Sequence, residues 1–316
     1  MKLSIVIPVY NVEDYIRGTL DSIYNQKVDE QLFEVIVVND GTPDKSMDIV
    51  KEFSFVHSNL RIINQQNQGL SAARNAGMNV AKGDYIWVVD SDDRITDNSI
   101  SEALAILEKH QDVDMVCFNL YEQRGDNLIP TTLFSKPSYQ RYYDEVHDGY
   151  FYCRKLPTGV SPKFFFRRRF LEDNHLEFTP GIYHEDQDFL IRCYTKAKSI
   201  LPIRNIWYVY NIRESGSITS TFKMKRFHDL LWIINNFRRL ADETQNVKAR
   251  TILEEGVFSL VYGLVESKYK TVEAYRAFLR DNMKQLRYLL LSSYFKSIRK
   301  NSLGKSWRLI VGILKS

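Results

Sequence analysis

Five short apolar segments alternate with helical patterns in the first 120 residues, and this alternation limits the fold more than any other feature. The predicted strands span residues 2–10, 33–40, 60–65, 84–90 and 114–122. Their apolar residues are continuous rather than interleaved with polar ones, which indicates strands that are buried on both faces. Such strands, separated by helices, are typical of a mostly parallel sheet with helices on both sides. The sequence therefore predicts an α/β fold.

The pattern changes after this region. Residues 125–180 are irregular and rich in Tyr, Phe and Arg, so they form either an inserted region that faces substrate or surface loops. Helical periodicity returns at 224–241, 247–268 and 271–291. We divide the chain at about residue 220. The predicted units are an α/β domain over 1–220, with halves 1–122 and 123–220, and a helical region over 221–316.

Composition places the chain among ordinary globular proteins. Its 316 residues are 44% hydrophobic and 26% charged, which is enough apolar mass for a large core. The three cysteines have no CxxC or zinc-ligand spacing, which argues against a disulfide framework and favours a reducing compartment. The apolar run at the N-terminus meets Glu13 and Asp14 within a few residues, so we interpret it as a strand and not a signal peptide. No apolar run approaches the ~20 residues of a membrane span.

The net charge of +4 hides an uneven distribution. The last part of the chain carries eight basic residues and no acidic one: Lys284, Arg287, Lys296, Arg299, Lys300, Lys305, Arg308 and Lys315. Removing those eight charges from +4 leaves residues 1–281 at −4, so the tail alone makes the chain basic. Nucleic acid is a poor candidate partner because the rest of the chain is acidic.

Polar residues follow three of the predicted strands. The first strand ends in Pro8-Val9-Tyr10, the second in Asn39-Asp40-Gly41 and the fourth in Asp90-Ser91-Asp92-Asp93. In an open α/β sheet, ligands bind beyond the carboxyl ends of parallel strands. Neither a GxGxxG after the first strand nor a GxxxxGK[ST] is present, which disfavours a dinucleotide site or a P-loop.

An Asp-x-Asp motif at a strand end has two possible interpretations. Asp90 and Asp92 either bind a divalent cation that in turn holds a diphosphate, or form a solvated turn. Mg²⁺ and Mn²⁺ both suit these oxygen ligands, and the sequence does not choose between them. Asp40 is a candidate acceptor for a nucleobase edge. Arg74 lies in a predicted helix over 71–83, with Ser71 as N-cap, and is expected to pair with Asp40, with phosphate, or with both.

Five motifs, taken in their order along the chain, resemble those of a known family. They are "SIVIPVYNVEDYI", "VIVVNDGTPD", "NQGLSAARNAG", "GDYIWVVDSDD" and "HEDQDF". Their order and spacing resemble the inverting glycosyltransferases of family 2, in particular bacterial members that build capsule, lipopolysaccharide or teichoic acid. The resemblance is strong over 1–125, moderate over 155–222 and nearly absent beyond. It implies a GT-A fold, which is Rossmann-like, with a mostly parallel sheet.

The resemblance also implies roles for individual residues. Asp186 would be the catalytic base, with Glu185 beside it, and Asp92 would hold the metal together with Asp90. The nucleotide-sugar pocket would comprise Pro8, Tyr10, Asp40, Asn67, Arg74, Asp90, Ser91, Arg213 and Ser217. His184 has three open roles, since it could bind metal, contact the acceptor or pack beside Glu185. Without the resemblance, the acidic pair would be read as a favourable helix N-terminus.

The implied reaction transfers a sugar from a nucleotide-sugar, expected to be a UDP-sugar, to a glycan or lipid-linked acceptor. The alternative is a non-catalytic protein that binds nucleotide-sugar or a partner enzyme. The basic tail over 284–316 mixes Trp307 with cations, which favours association with a membrane surface, or else a helix that packs on the catalytic domain. We therefore expect a cytoplasmic protein, peripheral at the inner face of the membrane. The C-terminal helices are candidates for self-association.

Overall fold

The computed structural model describes residues 1–134, 137–155, 161–213, 222–265 and 267–297, with no side chains described at 268, 270 and 290–297. Its strands are β1 Leu3–Val9, β2 Phe33–Asn39, β3 Leu60–Asn64, β4 Tyr85–Val88, β5 Arg94–Ile95, β6 Met115–Arg124, β7 Asn127–Thr131, β8 Phe164–Arg167 and β9 Ile200–Asn211. Its helices are α1 Ile16–Tyr24, α2 Ser46–Val56, α3 Leu70–Val80, α4 Ser99–Lys109, α5 Gly149–Lys155, α6 Arg168–Asp173, α7 Glu185–Lys196, α8 Met224–Glu243, α9 Val247–Val265 and α10 Glu273–Ser297.

All strands belong to one sheet, in the order β3-β2-β1-β4-β8-β6-β9-β5, with β7 paired to β6. The half made of β3, β2, β1 and β4 is parallel, as the sequence predicts. The other half is mixed, since β8 runs antiparallel to β4 and β6 while β6 and β9 are parallel. The α/β class is confirmed. The expected mostly parallel sheet is corrected to a mixed one, because β8 comes from the segment that periodicity left irregular.

The continuous apolar strands are buried on both faces. Along β1, Val6 contributes to one hydrophobic core and Ile5 and Ile7 to the other, and β2 alternates in the same way. Side chains on successive residues of a strand point to opposite faces, so an unbroken apolar run supplies two cores at once. This explains why these strands lack the polar alternation of a half-exposed sheet.

The C-terminal helices are confirmed close to their predicted positions. Helices α8, α9 and α10 pack on one another, and α9 also packs against α5 and α7. Phe237 of α8, Val257 of α9 and Phe189 of α7 belong to the same hydrophobic core. The helical region is therefore joined to the sheet through α7. The boundary predicted near 220 falls outside the described residues, and the domain division stays a prediction.

Helix α3 begins earlier than expected. Its first residue is Leu70, and Gly69 occupies the N-cap position with φ of +87° and no capping side chain. Only glycine adopts such a φ without steric cost, so the chain turns here at Gly69, and the expectation that Ser71 caps the helix is wrong. Among the described residues, no helix combines the length and apolar content needed to cross a bilayer.

Candidate active site

The predicted polar strand ends meet at one edge of the sheet. Strand β1 lies between β2 and β4 in parallel register, with Val9 opposite Asn39 and Val6 opposite Val88. The segments after these strands therefore lie side by side. Pro8 is buried within β1, whereas Tyr10 is 44% exposed and stands at the rim.

Arg74 forms the centre of the site. Its side chain is 1% exposed, and its Nη2 donates a hydrogen bond to Asp90 Oδ1 at 2.7 Å. Its Nη1 lies 2.9 Å from Glu185 Oε1 and 3.3 Å from Asp186 Oδ1. One guanidinium thus joins the acid after β4 to the two acids that open α7. Its planar fork of donors suits several carboxylates at once.

The aromatic ring of Phe178 fixes Arg74 from another side. The guanidinium carbon of Arg74 lies 5.0 Å from the ring centroid. Asn75, the next residue of α3, exchanges two hydrogen bonds of 2.8 Å with the backbone of Phe178. The helix that supplies Arg74 therefore also holds its aromatic neighbour. The sequence interpretation did not single out Asn75 or Phe178, because neither carries an obvious chemical signal.

Asp40 does not pair with Arg74, so that expectation is corrected. Its Oδ1 accepts hydrogen bonds from Gln65 Nε2 at 2.7 Å and from the Gln68 amide at 2.9 Å. Its Oδ2 accepts one from the Gly69 amide at 2.9 Å. Asp40 is 3% exposed and fixes the loop before α3. Asn67 lies exposed in that same loop. The role of Asp40 toward a base stays a prediction.

Arg213, just after β9, is the second cation of the site. Its Nη2 lies 2.7 Å from Asp92 Oδ2, and its guanidinium stacks 4.3 Å from the ring centroid of Tyr15. Arg213 thus lies next to the acidic loop after β4. Ser217, expected in the same pocket, lies outside the described residues.

Burial shifts the protonation of the acids. It raises the pKa of Asp92, to which the neighbouring Asp90 charge adds, although Arg213 acts in the opposite direction. Burial raises the pKa of Glu185 to about 7, with repulsion from Asp186 as the next cause. Burial also raises the pKa of Asp186, while Arg74 opposes the rise. All three acids are therefore protonated more readily than exposed carboxylates, and a cation beside them would favour their ionised forms.

Glu185 and Asp186 lie in the first turn of α7, where the partial positive charge of the helix end favours anions. The third acid of that turn, Asp188, is fully buried and binds Thr179 and Arg192 instead. Of the three acids, Glu185 and Asp186 contact Arg74, as the pair predicted for the site, whereas Asp188 stabilises the fold.

His184 precedes α7 with a left-handed backbone, φ of +64°. Burial lowers its pKa to about 4, and the nearby Arg226 contributes to this shift. The imidazole is therefore neutral near pH 7. Its charged neighbours are Arg226 and Asp229 of α8, which connects His184 to the helical region.

The acids offer hard oxygen ligands for a divalent cation. The described residues contain no preformed group of three His, Cys, Asp or Glu side chains arranged as a metal site. Even so, Asp92 is 26% exposed, its pKa is raised by burial and by a like charge, and its only ion pair among the described residues is with Arg213. A site that concentrates carboxylates in this way fits Mg²⁺ or Mn²⁺ bound together with a diphosphate.

Comparison with known proteins identifies the family of this chain. Residues 4–174, more than half of the chain, match the sequence profile of Glycosyl transferase family 2. EpsH of Bacillus subtilis is 33% identical over 234 residues, which cover 71% of this chain and 64% of EpsH. The poly(ribitol-phosphate) beta-glucosyltransferase of Bacillus spizizenii is 31% identical over 220 residues, which cover 68% of this chain and 33% of that enzyme.

A solved structure extends the likeness to the whole fold. Residues 1–349 of Staphylococcus aureus TarS, crystallised with UDP-GlcNAc, superpose with a TM-score of 0.71 at 21% identity, covering 100% of this chain and 92% of that one. The chain spans between about a third and just under two thirds of the length of the first curated relatives that it matches. With its GT-A-like fold and five ordered motifs, the chain belongs to glycosyl transferase family 2.

Proposed function

We propose that this protein is an inverting glycosyltransferase that moves a sugar from a UDP-sugar to a glycan or lipid-linked acceptor. The carrying observation is the contact of Arg74 with Asp90, Glu185 and Asp186. Asp90 stands at the strand end that is expected to bind the donor, and Glu185 and Asp186 are the acids expected to activate the acceptor. Because a single guanidinium contacts all three, the two sets of residues lie close together. A transfer between two substrates needs this proximity.

The donor is assigned to the edge where β1, β2 and β4 end. Asp90 and Ser91 would contact the ribose or sugar, while Pro8, Tyr10, Asp40 and Asn67 would surround the nucleoside. UDP is favoured because TarS, with the same fold, was crystallised with UDP-GlcNAc. Asp92, with Asp90 beside it, would hold Mn²⁺ or Mg²⁺, and Arg213 and Ser217 would face the diphosphate. When bound, the cation supplies positive charge to the leaving diphosphate.

Asp186 is assigned as the general base. Its carboxylate would take the proton of the acceptor hydroxyl as the oxygen bonds to the anomeric carbon and the bond from that carbon to the diphosphate oxygen breaks. Arg74 helps to keep Asp186 ionised, because the guanidinium opposes the effect of burial on its pKa. Attack from the face opposite the diphosphate inverts the configuration in one displacement. No covalent intermediate between sugar and enzyme is required.

The acceptor is proposed to belong to a cell-surface polymer. Support comes from a relative named for poly(ribitol-phosphate) and from the basic tail over 284–316. The described part of this tail, up to residue 297, continues α10, and Lys284 of α10 is exposed. Cations of this kind favour an anionic membrane surface, where a lipid-linked acceptor is found, and would place the protein on the cytoplasmic side. Equal sedimentation with anionic and with zwitterionic vesicles would show that the cations do not direct the protein to an anionic surface.

Substitution of Asp186 tests the proposed reaction. Asp186→Asn keeps the size of the side chain but cannot accept a proton, so kcat should fall by about 10²–10⁴-fold. UDP affinity, measured by calorimetry with Mn²⁺, should stay within about twofold, because UDP lies on the donor side of Arg74. The assay follows UDP release and the anomeric configuration of the product across a panel of UDP-sugars.

The control is Asp112→Asn, which removes a fully exposed carboxylate outside the site. It should match wild type in both kcat and UDP affinity. Two results would contradict the proposal. Wild type that binds UDP yet turns over no donor would favour the non-catalytic alternative. A product with retained configuration would exclude single displacement.

A further inference from the structure

The acidic loop over residues 90–93 is held from behind by two other elements. The Oγ1 of Thr19 in α1 lies 2.9 Å from the carbonyl oxygen of Ser91 and 2.7 Å from that of Asp93. The hydroxyl of Tyr208 in β9 accepts a hydrogen bond of 3.1 Å from the Asp90 amide. These contacts bind the backbone of the loop, and so leave the carboxylates of Asp90 and Asp92 directed to Arg74 and Arg213.

Asp93 differs from the other two acids of this loop. It is 1% exposed, and its Oδ2 accepts a hydrogen bond of 2.6 Å from the Tyr208 hydroxyl. Its Oδ1 accepts one of 2.8 Å from the amide of Asn211. Both carboxylate oxygens are therefore bound to β9. Asp93 has no free oxygen directed at a substrate, and its contacts are those of a clamp between loop and strand.

The same strand also delivers Arg213. Strand β5, directly after the loop, pairs with β9 so that Ile95 lies opposite Tyr208 and Arg94 opposite Val209. Two residues beyond Asn211, Arg213 reaches Asp92 at 2.7 Å. The clamp thus fixes the register between the acidic loop and the segment that carries the second cation. A slip of this register would separate Arg213 from Asp92.

We propose that Tyr208 and Asp93 are positioning residues for donor binding. They hold the Asp90 backbone and the Asp92 carboxylate in the arrangement that receives a nucleoside diphosphate with its divalent cation. This inference rests on the proposed function. Loss of the Tyr208 hydroxyl leaves the part-buried Asp90 amide without its acceptor and the buried Asp93 carboxylate without one of its two donors, so the loop adopts other conformations. The apparent affinity for the donor then falls in proportion to the fraction of molecules that keep the competent arrangement.

Tyr208→Phe tests this inference, because it removes only the hydroxyl. Tyr194→Phe is a matched control, since Tyr194 is also buried and its hydroxyl has no hydrogen-bond partner among the described residues. Mn²⁺ binding in the presence of UDP, measured by electron paramagnetic resonance, should weaken by about tenfold in Tyr208→Phe and stay within about twofold in Tyr194→Phe. Raising Mn²⁺ should restore UDP binding in Tyr208→Phe, because the ligands themselves are intact.

Asp93→Asn provides a second variant that should weaken binding in the same direction. If either variant is folded and binds Mn²⁺ with UDP as wild type does, while only its melting temperature falls, the clamp has a purely structural role and the inference is overturned. Failure of wild type itself to bind UDP with Mn²⁺ overturns the proposed function and this inference together. Normal binding by wild type and by Tyr208→Phe overturns the inference alone.

Discussion

The regions around Arg74 and Arg213 use the same side chain in opposite ways. Arg74 is 1% exposed and contacts three carboxylates, on α7 and after β4. Arg213 is 18% exposed and, within the part of the chain that the structure describes, pairs with one carboxylate, that of Asp92, with the ring of Tyr15 behind it. Removing a buried counter-ion leaves the opposite charges without compensation, whereas a cation at the rim can be replaced by another cation. The contrast predicts that Arg74 stabilises the arrangement of the site and that Arg213 moves in response to what binds there.

The largest expected effect is on Arg74. Arg74→Met should lower the free energy of unfolding by about 3–5 kcal/mol, since three part-buried carboxylates lose their shared partner. Arg17→Met is the control, because Arg17 forms an exposed ion pair with Glu52 and its loss should leave the free energy of unfolding close to that of the wild type. Urea denaturation measures both values. A loss below 1 kcal/mol in Arg74→Met would show that Arg74 is not the stabilising centre.

The pH dependence of this loss sharpens the comparison. Without Arg74, the folded pKa values of Glu185 and Asp186 should rise further above their unfolded values. A group with a raised folded pKa contributes stability that is present below the unfolded pKa and is lost as pH rises through the folded one. The deficit of Arg74→Met should therefore be smaller at about pH 5 than at about pH 8. A deficit that grows on acidification would contradict this account.

Arg213 should show the opposite behaviour. Arg213→Gln removes the cation that occupies Asp92, so Mn²⁺ affinity without UDP should rise by about tenfold. UDP affinity should fall, because the diphosphate loses a positive neighbour. Paramagnetic resonance and calorimetry measure the two affinities. Arg94→Gln removes an exposed positive charge next to the same loop and should alter both far less. Unchanged Mn²⁺ binding in Arg213→Gln would show that Arg213 and the cation do not compete.

The smallest expected effect concerns Glu185. Repulsion between neighbouring carboxylates is mutual, so Glu185→Gln should lower the pKa of Asp186. The acid limb of the pH profile of kcat/KM should then move down by about one pH unit, since the base stays ionised in more acidic solution. A profile measured between pH 5 and 9 tests this shift. Movement to higher pH would mean that Glu185 supports the ionised form of Asp186.

Local pattern was enough for the first half of the sheet. Continuous apolar runs such as 33–40 marked strands buried on both faces, and their order along the chain indicated a parallel arrangement. The short strand β8 was missed because its three phenylalanines, Phe164, Phe165 and Phe166, lie between irregular segments and give no period to measure. Its antiparallel insertion between β4 and β6 is a long-range choice that no local pattern encodes.

The same division applies to the site. The sequence by itself determined that acids follow β4 and stand at the start of α7. The spacing of apolar residues and the end of a strand are both visible in neighbouring residues. Tertiary structure decided the partner of Arg74, because Glu185 lies 111 positions away in the chain. Asp40 instead accepts hydrogen bonds from the loop before α3. Tyr208 gained its role in the same way, when sheet order placed β9 behind the acidic loop. Which charges neutralise one another depends on the packing of distant elements, and only the folded chain fixes that.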